Sequence, residues 1–143
     1  MKKKFSKHWK ASKQPRKQRK YRANAPLHIR HKLMSANLDK DLRKKYGRRS
    51  FPLRKGDSVK IMRGEFKGKT GKISVVDLKK LRVAVEGIQR TKKDGTKINV
   101  WFDPSNLQIK ELNLEDKKRM KAIDKEKNIS TNPEKQEGDT KEK

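Results

Sequence analysis

Lys55-Gly56-Asp57-Ser58-Val59-Lys60-Ile61-Met62-Arg63-Gly64-Glu65-Phe66-Lys67-Gly68-Lys69-Thr70-Gly71-Lys72-Ile73 is the stretch of this chain from which the fold is read. Val59 and Ile61 alternate with Ser58 and Lys60, and beyond a glycine-rich loop Ile73 and Val75 alternate with Lys72 and Ser74. A period of two marks strands with one buried face. Working outward, Leu81, Val83 and Val85 form a third alternating run, Ile98, Val100 and Phe102 a fourth, and Leu107 and Ile109 a short fifth. Turn residues separate them: Lys55-Gly56-Asp57, Gly64 through Gly71, Asp77 to Lys80, and Asp103-Pro104-Ser105-Asn106. Asp94-Gly95 predicts a hairpin, because a tight two-residue loop needs positive φ. The phase slips by one at Glu86-Gly87, since Val83 and Val85 are odd-numbered and Ile88 is even. A glycine at such a slip predicts a bulge that bends the strand. Five short, bent, antiparallel strands in about sixty residues predict a mainly β fold, a small five-stranded SH3-like barrel.

The composition outside this stretch is different. The chain has 143 residues, 43 Lys plus Arg against 17 Asp plus Glu, a net charge of +26 and 29% hydrophobic residues. Leu, Ile, Val and Phe make up about a fifth of it, the border below which a strongly charged chain does not fold around one core. The average conceals three segments. Residues 1–50 carry +17, residues 51–112 carry +8 and hold all six valines, and residues 113–143 carry +1. The division predicts a basic N-terminal extension over 1–50, a folded module over 51–112, and a C-terminal helix with a polar, disordered tail over 113–143. A large catalytic domain does not fit this arithmetic. The absence of Cys removes disulfides and thiolate chemistry and accords with a reducing compartment. No apolar run is long enough to span a membrane, and the first residues are charged without an apolar segment, so the expected location is intracellular. Asn128-Ile129-Ser130 matches a glycosylation acceptor by chance in that setting.

The flanks contain helical spacing. Leu38, Leu42 and Tyr46 recur every four residues, with Asn37 as a cap, Asp39 and Asp41 at the positive end, and Gly47 as a stop. Ala25 to Met34 has a shorter helical pattern entered at Pro26, and a further helix is expected from Asn113, with Asp116 in its first turn, to about Lys127. With so much positive charge, the extension is expected to stay extended until a polyanion neutralises it.

Most candidate sites fail on spacing or context. Gly64-Glu65-Phe66-Lys67-Gly68-Lys69-Thr70 has three residues between its glycines where a P-loop needs four, and it leads into a strand rather than a helix. His28 and His31 lack a third ligand and sit among Arg30 and Lys32, so no metal or other cofactor is expected. The carboxylates are scattered singly and no Ser or Thr has an evident base, which argues against an enzyme and a small-molecule substrate. A membrane surface would need a broad apolar helix face that neither helical stretch offers. What remains is an Arg-rich run (Arg16, Arg19, Arg22, Arg30, Arg43, Arg48, Arg49) interleaved with Trp9, Tyr21 and Tyr46, the composition that binds phosphates in pairs and stacks on bases.

The stretch from Lys55 to Ile73 resembles the KOW motif of ribosomal proteins and transcription elongation factors: a strand, a glycine-hinged basic loop and a strand. Gly64, Gly68 and Gly71 allow the backbone to turn and to approach another backbone, while Arg63, Lys67, Lys69 and Lys72 surround it with charge. The resemblance extends through Asn24-Ala25-Pro26-Leu27-His28-Ile29-Arg30-His31-Lys32-Leu33-Met34-Ser35, Leu42-Arg43-Lys44-Lys45-Tyr46, Arg49-Ser50-Phe51-Pro52-Leu53-Arg54-Lys55, Val85-Glu86-Gly87-Ile88-Gln89-Arg90 and Asp103-Pro104-Ser105-Asn106-Leu107. These segments, in order over roughly residues 13–125, resemble the archaeal and eukaryotic form of the universal large-subunit ribosomal protein twenty-four family. The resemblance implies a structural protein of the large ribosomal subunit that binds large-subunit rRNA early in assembly, near the rRNA 5′ domain and the peptide exit tunnel. It also implies other large-subunit ribosomal proteins as neighbours, a single copy per ribosome and a cytoplasmic location. The rRNA contacts expected from the extension are Arg16, Lys17, Arg19, Lys20, Arg22, Arg30, Lys32, Arg48, Arg49 and Arg54. Those expected from the module are Arg63, Lys67, Lys69, Lys72, Arg90, Lys92 and Lys93. Trp101 lies on the strand face opposite Val100 and Phe102 and is expected to pack under the extension, with stacking on a base as the alternative. An elongation-factor-like KOW module docking on RNA polymerase is the alternative, and would bind with little salt dependence. An SH3-like peptide groove would need more exposed aromatic residues than a chain with 6% of them supplies.

Overall fold

The computed structural model describes residues 12–121 together with Phe5, Ser6 and His8. Helices α1 (Pro15–Asn24) and α2 (Leu27–Leu33) are followed by strand β1 (Ser35–Leu38), helix α3 (Lys40–Tyr46) and strand β2 (Ser50–Pro52). Then come β3 (Ser58–Ile61), β4 (Thr70–Asp77), β5 (Arg82–Thr91), β6 (Lys97–Phe102), a 3-10 turn at Pro104–Asn106, and β7 (Leu107–Glu111). The strands form one sheet in the order β2-β1-β7-β3-β4-β5-β6. All pairings are antiparallel except β1 with β7, whose parallel register sets Asn37 beside Gln108 and Leu38 beside Ile109.

The five alternating runs are strands β3 to β7, and the fold is mainly β. The expected five-stranded barrel is corrected in strand number and closure, because the sheet has seven strands and is open, with β2 and β6 as its edges. β1 escapes a sequence reading because four residues show little period and Leu38 fits the helical spacing of Leu42 and Tyr46 equally well. In the structure α3 starts after Asp39, whose carboxylate accepts the Lys40 N–H, and Leu38 closes β1 fully buried. Gly47 ends α3 in the left-handed region at φ 65°, as its position predicts. Met34, Ala36 and Leu38 share one core with Val59, Ile61, Ile73, Val83, Val85, Leu107 and Ile109. The boundary expected at residue 50 therefore falls inside the sheet.

The register shifts between Ser58 and Val59 of β3, and two further bulges set the course of β4 and β5. In β5, Ala84 pairs with Trp101 and Gln89 with Asn99, and Gly87 takes φ 74° between them. Ile88 is buried beyond the slip, as the phase change predicts. The second bulge corrects the expected alternation of Ile73 and Val75: the register shifts between them, Val75 is 44% exposed, and Val76 packs against the core instead. Ile98 is likewise exposed, because residues 89–99 leave the core as a two-stranded ribbon. At its tip only Gly95 has positive φ, and its N–H donates to the Lys92 carbonyl, so the hairpin turns through three residues rather than two.

Asp57 and Arg119 fasten the end of the described chain to the sheet. Both are buried, and Arg119 Nη1 and Nη2 donate to the two Asp57 carboxylate oxygens at 2.6 and 2.8 Å. Asp57 also accepts the N–H groups of Arg54 and Asn113, while the guanidinium donates to the carbonyls of Asn113 and Pro52 and lies 5.3 Å from the Phe51 ring centre. The expected helix start at Asn113 moves to residue 117, because Asn113 makes a turn with Glu115 and Asp116 receives the Lys118 N–H. Its expected continuation to Lys127, the polar tail, Asn128 and Trp9 lie outside the described residues.

Candidate nucleic-acid interface

α1 is ten residues long with five cations, no acid and no buried residue. Charge repulsion predicts an extended segment here; the structure makes it a helix. Pro15 occupies its first turn, and Arg30 of α2 closes its far end, donating from Nε to the Ala25 carbonyl at 2.8 Å and from Nη2 to the Ala23 carbonyl at 2.6 Å. These bonds satisfy groups that a helix end leaves open. Arg16, Lys17, Arg19, Lys20 and Arg22 are thereby presented as exposed side chains, with Lys32 exposed on α2.

The loop from β3 to β4 builds a second basic surface. Gly64 and Gly68 both have φ 89° and open space where a Cβ would stand, so they are turn glycines. Gly71 serves a different purpose: a Cβ there would meet Val85 Cγ1 at 2.7 Å and the Glu86 carbonyl oxygen at 3.0 Å, and its absence lets β4 and β5 approach. Within the loop, Phe66 packs edge-on against Phe102 at 6.2 Å and carries two cations, Lys69 at 5.2 Å and Arg90 at 5.9 Å from its ring centre. Arg90 also pairs with Glu65. The motif loop and β5 are thus one surface, with Lys67, Lys92 and Lys93 exposed along it. Arg63 and Lys72 are exposed on its flanks. Asp94 is taken up in the hairpin turn, its carboxyl held below the ordinary range by the Thr96 hydroxyl and amide.

The expected residues do not all remain free for a ligand. Arg30 is used as a helix cap, Arg54 pairs with Asp116, and Arg48 is partly buried 5.3 Å from the Phe51 ring centre. Arg49 is exposed. The P-loop-like run leads into β4 and not a helix, and among the described residues no cluster of three or more His, Asp or Glu is placed to hold a metal ion. No helix among the described residues is long and apolar enough to cross a membrane.

A family model describing the eukaryotic L26 and archaeal L24 ribosomal proteins matches residues 12–126. The chain belongs to this family. It is similar to the large ribosomal subunit protein uL24 of Methanosphaera stadtmanae, with 52% identity over 114 residues, 80% of this chain and 97% of that one. It is also similar to the large ribosomal subunit protein uL24 of Korarchaeum cryptofilum, with 48% identity over 114 residues, 80% of this chain and 87% of the other. The matched range takes in α1 and every strand of the sheet, so family membership covers both basic surfaces.

Among the cations outside the sequence-derived set, two stand near α1. Lys79 and Lys80, in the turn between β4 and β5, line a groove with Arg19 and Arg22 of α1. A Lys-Lys pair in a turn gives no sign by itself that it faces a helix far earlier in the chain. Trp101 is 41% exposed, which corrects the expectation that it packs under the extension.

Proposed function

We propose that this chain is a structural constituent of the large ribosomal subunit, binding large-subunit rRNA through phosphate contacts from α1 and from the motif loop with its adjoining ribbon. The observation that carries this reading is the exposure of Arg16, Lys17, Arg19, Lys20, Arg22, Arg63, Lys67, Lys72, Lys92 and Lys93 in a member of a ribosomal-protein family. Exposed, uncompensated cations gain most from a ligand whose charge spacing matches theirs, and displaced counterions make that gain salt-dependent. Arg49, Lys32, Lys69 and Arg90 extend these surfaces, and Arg30, Arg48 and Arg54 act by holding the protein together beside them. The bent run β7-β3-β4-β5-β6 supports an SH3-like curl within the wider sheet. Family resemblance implies a cytoplasmic ribosomal location, neighbouring large-subunit proteins, a single copy per subunit and entry early in assembly near the rRNA 5′ domain and exit tunnel.

The test is equilibrium binding to a large-subunit rRNA transcript across a salt series. Log affinity is expected to fall with log salt by about 0.7 to 0.9 per phosphate neutralised. A flat salt response, or absence of the tagged chain from large subunits sedimented at low salt, would overturn the assignment and favour a polymerase-docking KOW module.

A further inference from the structure

Between α1 and the β4–β5 turn runs a groove lined by Arg19 and Arg22 on one element and Lys79 and Lys80 on the other, with Asp103 and Ser105 also in its lining. Four cations converge there from segments far apart in the sequence. Two carboxylates lie nearby. Asp77 accepts the Lys79 and Lys80 amide N–H groups at 2.8 and 3.0 Å, and Asp103 lies 3.9 Å from Arg82 Nε.

α1 has no buried residue: Tyr21 is half-buried, with its ring 4.8 Å from that of Phe5, Arg30 holds the far end, and Arg16, Arg19 and Arg22, spaced by three, place like charges along one stripe. The opposite wall is held more firmly. Leu81 is the described residue other than glycine with positive φ, at 55°, and its side chain packs against the core while Lys79 and Lys80 precede it into the groove. A non-glycine residue in that region persists when its surroundings over-determine it.

We propose that this groove is a clamp for an RNA backbone, in which phosphates of one strand are bound between α1 and the β4–β5 turn. The proposal rests on the rRNA-binding reading above and adds Lys79 and Lys80 to it. The described lining contains no aromatic side chain on which a base could stack, and the four cations suit phosphates. A bound strand neutralises both walls at once, and each wall holds the strand in place for the other.

The test uses the full chain and a large-subunit rRNA transcript. K79Q/K80Q and R19Q/R22Q are each expected to lower the log-log salt slope by about 1.4 to 1.8, two phosphate contacts' worth. Combined, they are expected to cost less affinity than the sum of the separate losses, because breaking one wall already weakens the other. K92Q/K93Q, on the distant ribbon, is expected to combine additively with R19Q/R22Q. Thermal melts establish that each variant is folded. An unchanged slope in folded K79Q/K80Q overturns the clamp, and so does strict additivity between the two walls, which would make them separate sites. A wild-type chain with no salt dependence overturns the rRNA reading itself, an outcome distinct from a steep wild-type slope that Lys79 and Lys80 do not affect.

Discussion

Gly68 and Gly71 are three residues apart and chemically identical, yet they answer different demands. At Gly68 the demand is φ 89° in open space, and a Cβ costs about 1–2 kcal/mol of backbone strain. At Gly71 the demand is room, and a methyl group would press on both Val85 Cγ1 and a backbone carbonyl that cannot rotate away. Gly71→Ala is expected to destabilise by about 1–3 kcal/mol in urea unfolding and to disturb the β4–β5 register, whereas Gly68→Ala leaves the register intact. Amide exchange across β4 distinguishes the two. The sequence marks both as places where a side chain is unwelcome; which kind of place depends on a strand further down the chain. Asp57 has the same limit. It reads as a turn residue before β3, and nothing local announces that its partner is Arg119. Removing that partner leaves a buried carboxylate unpaired, so Arg119→Ala is expected to cost about 3–5 kcal/mol in chemical denaturation. The paired replacement Asp57→Asn with Arg119→Met is expected to recover part of that loss.

At the scale of elements, period-two runs in the sequence are enough to find β3 through β7, although the burial of β4, β5 and β6 departs from strict alternation at the bulges and along the ribbon. The same rule cannot find β1, whose four residues also fit a helix, nor α1, which has no apolar stripe. Asp39 decides where β1 stops and α3 starts. Its carboxylate accepts from Lys40 N–H, from Gln108 Nε2 at 3.1 Å and from Lys110 Nζ at 2.5 Å, tying the junction to β7. The Lys110 ammonium, followed by the Lys40 amide, holds this carboxyl below its ordinary pKa of 3.8. A folded pKa below the unfolded one means the ionised group stabilises the fold fully above about pH 4, and that contribution is lost as pH falls through the folded value. The melting temperature is expected to drop on acidification below about pH 4, and less steeply in Asp39→Asn. Asp77 and Asp94, also lowered by turn hydrogen bonds, leave a residual acid dependence in that variant.

Over the whole molecule, the charge division points to a polyanion, and the motif within residues 55–73 with its flanking segments narrows the family. The extension is harder to delimit, since charge changes at residue 50 while the core begins by residue 34. Residues 35–52 are basic in composition and structural in position, supplying β1, α3 and β2. Deleting residues 1–24 is therefore expected to keep the thermal melt close to that of the full chain while lowering affinity for rRNA and its salt slope. Deleting residues 1–50 is expected to lose the cooperative melt altogether. Circular dichroism on the two truncations separates the folding role of the extension from its binding role.

β7 is hydrogen-bonded to β3 on one side and, in parallel, to β1 on the other. Among the described residues it is also the last strand in chain order. During synthesis, the β1–β2 pair and the β3-to-β6 meander emerge in turn with no common neighbour, and the two meet only when residues 107–111 leave the translating ribosome. Until then the β1–β2 pair, with α2 packed against β2, has no strand that fixes its direction relative to the meander.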